Sequence, residues 1–139
     1  MTERLLAVAC TLAMVSACGG DHRASSPTTP SAPTPPTETR IIALSGNLAF
    51  GTVDIGHTVT TTLTISNNGN SALSVSNVTV PSGSTFVTSW WKGTIAAGTS
   101  QPVTVYFSPQ VAQTYEGVLT VVGDQTSGTS TMNISGTGK

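Results

Sequence analysis

The strongest constraint on the fold of this chain is the regular alternation of apolar and small polar residues in its C-terminal part. In the stretch TVTTTLTIS, Val59, Leu63 and Ile65 fall on one face of an extended segment, together with Thr61. In VTVYF, Val103, Val105 and Phe107 do the same. The intervening threonines suit the solvent side of a strand, because β-branched side chains pack well on a pleated surface. Since successive side chains of a strand point to opposite faces, the pattern predicts half-buried β-strands.

Turn-forming residues separate these strands at short intervals, and no stretch of residues 41–139 has a convincing helical period. The motif NNGN at residues 67–70 predicts a hairpin-type turn, because Asn and Gly tolerate a positive φ. The alternation shifts by one residue near Asn77, which predicts a β-bulge. About seven short strands with frequent turns therefore predict an all-β domain, built as an antiparallel β-sandwich.

The N-terminal residues have the pattern of an export signal. Residues 5–15 form an uncharged apolar run that is too short to span a bilayer, which takes roughly 20 helical residues. Its length matches the hydrophobic region of a secretory signal, and the small residues Ser16 and Ala17 follow it, as a signal peptidase site requires. We therefore interpret residues 1–17 as a signal peptide that is removed.

The end of this segment, VSAC, resembles the lipobox of bacterial lipoproteins, in which an aliphatic residue and two small residues precede a cysteine. The resemblance implies that Cys18 becomes the first residue of the mature protein and carries a diacylglycerol thioether and an N-acyl chain, with no other cofactor. It implies a lipid-anchored protein of the cell envelope. Gly19 stands where an aspartate retains many lipoproteins at the inner membrane, which favours the outer membrane in a Gram-negative cell. The alternative is an ordinary secretory signal that leaves Cys18 as a free thiol.

Residues 18–40 form a segment rich in Pro, Ser and Thr that follows the signal peptide. Its few apolar side chains are too small to offset the conformational entropy that folding costs. We therefore expect a disordered tether, extended by its prolines, between the lipid and the rest of the chain. Residues 41–139 have the length of a single domain.

Several short motifs in this domain, taken in their order, resemble the ASH/HYDIN-type immunoglobulin-like domains, whose bacterial versions are called choice-of-anchor D domains. They are FGTV at residues 50–53, IG at residues 55–56, NNGN, IAAG, and VTVYFSP, which ends at Pro109. The resemblance covers residues 44–138 and implies an immunoglobulin-like sandwich that acts as a binding module and not as an enzyme. Many bacterial members carry a cysteine pair around the AAG turn. Trp91 and Gln101 lie near those positions, so apolar packing must replace that disulfide.

Catalytic and metal-binding groups are sparse in the domain, and we expect neither a catalytic residue nor a metal site. Its one histidine, His57, follows Asp54 in a segment that we interpret as a surface turn, with no nucleophile pattern near it. A metal site needs several converging His, Cys or carboxylate ligands, and here these residues are scattered along the domain. The net charge of −1 at pH 7 argues against nucleic-acid binding, which needs a basic face.

The stretch SWWKG at residues 89–93 is the feature that suggests a binding site. Adjacent tryptophans in a strand or loop cannot both face the same core, so we expect one of Trp90 and Trp91 to be buried and the other at least partly exposed. An exposed indole can anchor a protein partner or stack on a sugar ring, and Lys92 can pair with an acidic group. The structural alternative is that Trp91 fills the volume of the missing disulfide and Trp90 lies flat over threonine side chains.

Two hypotheses of function follow from the sequence. The first is a membrane-anchored surface or periplasmic lipoprotein that presents a non-catalytic interaction or structural module to an unidentified protein. The second is a module that binds carbohydrate or another envelope polymer through Trp90 and Trp91. Both make the membrane a partner through the lipid on Cys18.

Overall fold

The structure, a computed structural model, describes residues 32–81 and 85–139. The predicted signal peptide (residues 1–17), Cys18 and residues 19–31 of the predicted tether lie outside the described residues. Residues 32–40 have no regular secondary structure, and every element that follows is a β-strand. A helix that could cross a membrane does not occur within the described ranges.

The ten strands form two sheets that pack face to face. Sheet A has the strand order β5-β7-β3-β1-β9, and sheet B has the order β2-β10-β8-β4-β6. The strands are β1 (Ile41–Gly46), β2 (Ala49–Val53), β3 (Val59–Asn67), β4 (Leu73–Thr79), β5 (Phe86–Thr88), β6 (Gly93–Ile95), β7 (Ser100–Phe107), β8 (Thr114–Gly123), β9 (Ser127–Gly128) and β10 (Thr131–Gly138). The predicted all-β sandwich is therefore confirmed.

The sandwich differs from the prediction in the number and direction of its strands. It has ten strands, and the additional ones include β5, β6 and β9, which have two or three residues each. Strands of that length are too short to show a period of two in the sequence. The arrangement is also not wholly antiparallel, because β1 runs parallel to β9 and β2 runs parallel to β10. The chain crosses from sheet A to sheet B between β1 and β2, so its first two strands belong to different sheets.

The core contains most of the apolar residues that the alternation in β3 and β7 placed on the inner face. Val59 is the exception, because it is the first residue of β3 and is 40% exposed. Leu63 and Ile65 of β3 and Val103 and Phe107 of β7 are fully buried. Phe107 also stacks on Phe86 of β5, with 4.9 Å between the ring centroids. Burial of a large apolar side chain contributes about 1.5–3 kcal/mol to folding. Apolar packing between the sheets is therefore the main stabilising term in this domain.

The predicted β-bulge near Asn77 is confirmed. The register between β4 and β8 shifts between Val75 and Asn77. Before the shift β4 buries Leu73 and Val75, and after it β4 buries Val78. The inserted residue thus lets both halves of the strand turn apolar side chains toward the core.

The prediction of a hairpin at residues 67–70 is wrong, because β3 belongs to sheet A and β4 belongs to sheet B. The segment carries the chain from one sheet to the other, and the fully buried side chain of Asn67 holds this corner. Its Nδ2 donates to the carbonyl oxygens of Ser71 at 2.8 Å and Ile95 at 3.1 Å. Its Oδ1 accepts from the backbone N–H of Gly69 at 3.1 Å. These tertiary hydrogen bonds, and not the turn propensity of the motif, decide the path of the chain at this point.

The last residues of the predicted tether are hydrogen-bonded to this corner. The backbone N–H of Thr39 donates to Asn70 Oδ1 at 2.7 Å, and the backbone N–H of Ser71 donates to the carbonyl oxygen of Thr39 at 3.0 Å. Gly69 lies so close to this segment that a Cβ there would collide with the same carbonyl oxygen. A glycine is needed at residue 69 for this close approach.

Arg40 continues this attachment on the neighbouring loop. Its Nε donates to the carbonyl oxygen of Ala72 at 3.1 Å and lies 3.4 Å from Asp124 Oδ2. Asp124 Oδ1 in turn accepts from the backbone N–H of Ser74 at 2.8 Å. Residues 37–40 therefore attach to one end of the domain, which we call the entry pole and define as residues 37–40, 67–72 and 124–126.

Candidate functional site

The candidate site lies on the loop between β5 of sheet A and β6 of sheet B. Ser89 holds the start of this loop, because its backbone N–H donates to the carbonyl oxygen of Thr104 at 2.8 Å and its Oγ accepts from the N–H of Thr104 at 2.9 Å. Gly93 holds the end, where β6 begins and pairs with Val75 of β4. Residues 90–92 thus form a short connection between two sheets that is fixed at both ends.

Trp90 supports this connection from the inside. Its side chain is partly buried and packs against the core cluster. The indole lies against Gly93, where a Cβ would come within 2.9 Å of its Cζ2 atom. Gly93 also has a φ of 152°, which an L side chain rarely adopts. The indole and the glycine are therefore fitted to each other, and Trp90 takes the structural role.

Trp91 points the other way and has 51% of its surface exposed. The two tryptophans therefore divide as expected, with one against the core and one in solvent. The structural alternative, in which Trp91 fills the space of the missing disulfide, is wrong. Trp90, and not Trp91, packs against the core. Trp91 is the side chain that a partner could reach.

Lys92 lies over Trp91, with its Nζ 4.3 Å from the ring centroid. Such a cation–π contact is worth about 0.5–1 kcal/mol at an exposed site. It places an ammonium group and a flat apolar ring side by side. Together they could contact an aromatic or sugar ring and pair with a carboxylate or phosphate.

Two further exposed side chains lie on strands next to this loop, Val87 of β5 and Tyr106 of β7. They are directly opposite each other across the two strands, on the outer face of sheet A. The alternation in VTVYF already predicts that Tyr106 faces outward, but Val87 was not predicted, because the three residues of β5 are too few to show a period. The usable signal was the run FVT, in which Val87 faces away from the buried Phe86.

His57 and Asp54 lie in the exposed turn that the sequence indicated. Their contact is a backbone one, from the N–H of His57 to the carbonyl oxygen of Asp54 at 3.1 Å. The carboxylate of Asp54 lies 3.7 Å from the Nζ of Lys139. In the part of the chain that the structure describes, no three His, Cys, Asp or Glu side chains come together as metal ligands.

Residues 41–137 match the model of the protein family described as "HYDIN/CFA65/VesB-like, Ig-like domain". The match begins at the first residue of β1 and ends within β10. No match was found among curated protein sequences.

Comparison with solved structures supports the same fold. PapD-like domain 7 of human CEP192, an ASH/PapD-like domain, superposes with a TM-score of 0.56 at 16% identity, covering 84% of this chain and 94% of that one. A protein of unknown function from Porphyromonas gingivalis W83 has a TM-score of 0.55 at 22% identity, covering 73% of this chain and 47% of that one. The VesB protease of Vibrio cholerae has a TM-score of 0.48 at 17% identity, covering 70% of this chain. This chain spans less than half of the Porphyromonas chain and 30% of VesB.

Proposed function

The chain belongs to the HYDIN/CFA65/VesB-like family of Ig-like domains, and we propose that it presents a non-catalytic interaction module from a lipid anchor in the bacterial cell envelope. The module is the β-sandwich of residues 41–139. Cys18 carries the lipid, residues 18–40 are the tether, and the partner is an envelope protein that contacts the side of the sandwich. The outer membrane is the favoured location, because Gly19 and not an aspartate follows the cysteine.

The observation that carries the interaction role is the half-exposed indole of Trp91. Tryptophans that become buried on binding often contribute a large share of the binding free energy. Trp91 is presented on a loop that Ser89, Trp90 and Gly93 hold in place. A pre-organised anchor of this kind loses little conformational entropy when a partner binds.

The absence of catalysis is supported by family membership and by the distribution of reactive groups. Asp54 and His57 lie at one exposed turn, Glu116 lies on β8, and Asp124 is engaged at the entry pole. The hydrogen bond between Asp54 and His57 joins backbone atoms. An interaction module requires no acid–base–nucleophile arrangement.

The membrane anchor rests on the sequence. Its supports are the apolar run at residues 5–15, the small residues Ser16 and Ala17, and the position of Cys18 directly after them. Acyl chains hold a protein at a membrane because each buried CH₂ contributes about 0.8 kcal/mol.

A second candidate function is the binding of carbohydrate or another envelope polymer. The observation that favours it is again Trp91, because an exposed indole is a flat surface on which a sugar ring can stack. Trp90 does not contribute a second exposed ring, since it packs against the core. The polymer would therefore be held by one ring and by hydrogen bonds from Lys92.

The binding role is tested with Trp91→Ala in the full-length chain, with Val118→Ala as the matched control. Val118 is similarly exposed, at 49%, but lies on the outer face of sheet B, away from the loop. We expect cross-linking to envelope proteins to fall with Trp91→Ala and to persist with Val118→Ala. Loss of binding to purified glycans in the same comparison would support the second function instead. Unchanged binding of both kinds would show that Trp91 is not an anchor.

The membrane anchor is tested separately with Cys18→Ala. We expect the wild-type protein to partition with membranes and its mature N-terminal peptide to carry acyl chains by mass spectrometry. Cys18→Ala should abolish both. An unmodified thiol on protein that stays in the soluble fraction would refute the anchor and leave the binding role standing.

A further inference from the structure

β5 is the terminal strand of sheet A, and within the described residues it pairs with β7 alone. The N–H of Ser108 donates to the carbonyl oxygen of Thr85, and the N–H of Ser89 donates to that of Thr104. Because the backbone groups of an antiparallel strand alternate in direction, those of residues 85, 87 and 89 face β7. The N–H and C=O groups of Phe86 and Thr88 therefore point to the open side, where no described residue pairs with them.

The other edges of the two sheets are interrupted or very short. β9 has two residues, and β2 pairs with β10 across a register shift between Ser135 and Thr137. β6 begins at Gly93, whose φ of 152° departs from ordinary strand geometry. Irregularities of this kind prevent edge-to-edge pairing, and short lengths weaken it.

Proline protects the part of sheet A beyond the end of β5. The N–H of Asn67 in β3 donates to the carbonyl oxygen of Thr99, just before β7. Thr99 therefore faces β3, and backbone groups alternate in direction along a strand. The backbone nitrogen of Pro102, three residues later, thus points away from β3, toward the edge of the sheet. Proline has no N–H to offer there, so a second chain cannot extend its pairing past β5.

β5 is as short as β6, with three residues each, but its backbone lacks the irregularity of Gly93. It is extended over Phe86, Val87 and Thr88, without proline, bulge or charge. Val87 is 56% exposed beside Tyr106 on the outer face. Lys92 is the only formally charged side chain between residues 55 and 115 of the sequence. The β5 edge is therefore open, uncharged and flanked by apolar surface.

We propose that this edge is an interaction surface for a second copy of this chain, with β5 against β5 in antiparallel register around a two-fold axis at Val87. Phe86 of one copy then lies opposite Thr88 of the other, and their outward N–H and C=O groups pair in both directions. A two-fold contact brings each patch against its own copy, so any charge on it would meet a like charge. The β5 edge carries no charge, which favours self-pairing over a charged partner.

This pairing does not depend on the membrane anchor or on the role of Trp91. If the chain is tethered, confinement at a membrane raises the effective concentration of copies and strengthens a weak contact. Three residues per copy make a small interface, so the contact is weak in dilute solution.

The test uses cysteine cross-linking in the full-length chain. In the proposed register the two Val87 residues form a non-hydrogen-bonded pair, whose Cα atoms are about 4.5 Å apart, within the range that a disulfide bridges. We expect Val87→Cys to give at least about tenfold more reducible dimer than Val118→Cys on non-reducing gels, because Val118 lies on the central strand of sheet B. The wild-type chain, with Cys10 and Cys18, supplies the background.

Two second-site variants test the register. Thr88→Pro removes an outward N–H that β7 does not use, and an edge strand tolerates proline there. Tyr106→Lys leaves the backbone of β5 intact and places a charge beside Val87 in each copy. We expect either change, added to Val87→Cys, to lower the dimer yield to that of Val118→Cys. Equal yields from Val87→Cys and Val118→Cys, or a Val87→Cys dimer that survives both second changes, would overturn the proposal.

Discussion

The entry pole and the surface at β5 and its following loop, which we call the β5 side, differ in whether their surface groups are hydrogen-bonded within the domain. At the entry pole, Arg40, Asn70 and Asp124 are exposed or half-buried, yet their polar atoms bond to backbone groups of the domain. On the β5 side, Val87 and Trp91 are exposed and the outer backbone groups of the strand lack described partners. A polar cluster can thus be engaged in holding the fold, while a surface with few polar groups leaves backbone and side-chain groups exposed.

The two regions also depend on different forces. The entry pole is held by hydrogen bonds to backbone carbonyl and amide groups, which are costly to leave unpaired when they are buried. The loop beside β5 is held by the packing of Trp90, with Trp91 left in solvent. Substitutions in the entry pole should therefore change stability, and substitutions of exposed residues beside β5 should change binding.

The largest effect is expected for Asn67→Ala at the entry pole. The change leaves the buried carbonyl oxygen of Ile95 and the N–H of Gly69 without their partners. We expect the free energy of unfolding to fall by about 3 kcal/mol in urea titrations. The control is Asn68→Ala, an exposed neighbour, which should cost less than about 0.5 kcal/mol. Equal costs for the two variants would mean that Asn67 does not hold the corner.

Trp90→Ala should have the next largest effect, and it compares the two adjacent tryptophans. Loss of the partly buried indole leaves a gap against Gly93 and should lower the free energy of unfolding by about 2 kcal/mol. Trp91→Ala should change it by less than about 0.5 kcal/mol, because that ring lies in solvent. Thermal and chemical unfolding of the two variants measure the difference. The reverse order of costs would contradict the assignment of the structural role to Trp90.

A smaller effect is expected for Asp124→Ala at the entry pole. Its carboxylate accepts from the N–H of Ser74 and lies near Arg40, and both contacts are partly exposed to solvent. We expect a loss of about 1 kcal/mol in the free energy of unfolding. Asp54→Ala is the matched control, since its exposed ion pair with Lys139 is worth less than about 1 kcal/mol and is reduced further by salt. At high salt the Asp124→Ala loss should persist while any Asp54→Ala loss disappears.

The smallest effect is expected for Lys92→Gln beside β5. The exposed cation–π contact with Trp91 should contribute about 0.5 kcal/mol or less to stability. The direct readout is the fluorescence emission of Trp91 in a Trp90→Phe background, which should shift when the ammonium group is removed. Identical emission with and without Lys92 would show that the ammonium group does not stay over the ring.

The sequence was a good guide where side-chain period and residue type point to one local structure. The apolar side chains that the alternation in β3 and β7 placed inward are buried except Val59, which is exposed at the start of β3, and the shift near Asn77 predicted the bulge. The division of labour between adjacent tryptophans was also predictable, because neighbouring residues face opposite ways. Which of the two would be buried was not predictable, since it depends on the space beside Gly93.

The sequence was a poor guide where distant segments compete for the same backbone groups. The motif NNGN predicted a hairpin, but Asn67 bonds to Ile95, far along the chain, and the turn became a corner between sheets. β5 was missed because a three-residue strand has no measurable period. Its neighbours in the sheet, and not its own composition, make it a strand.

Residue order alone was sufficient for the all-β class, the inward-facing side chains and the expectation of a lipid on Cys18, because each depends on a local pattern of size and polarity. The assignment of strands to sheets, the outward direction of the Phe86 and Thr88 backbone groups and the exposure of Trp91 required the folded chain. These features depend on which distant segments meet, and hydrogen bonds and packing between the two sheets decide that in three dimensions.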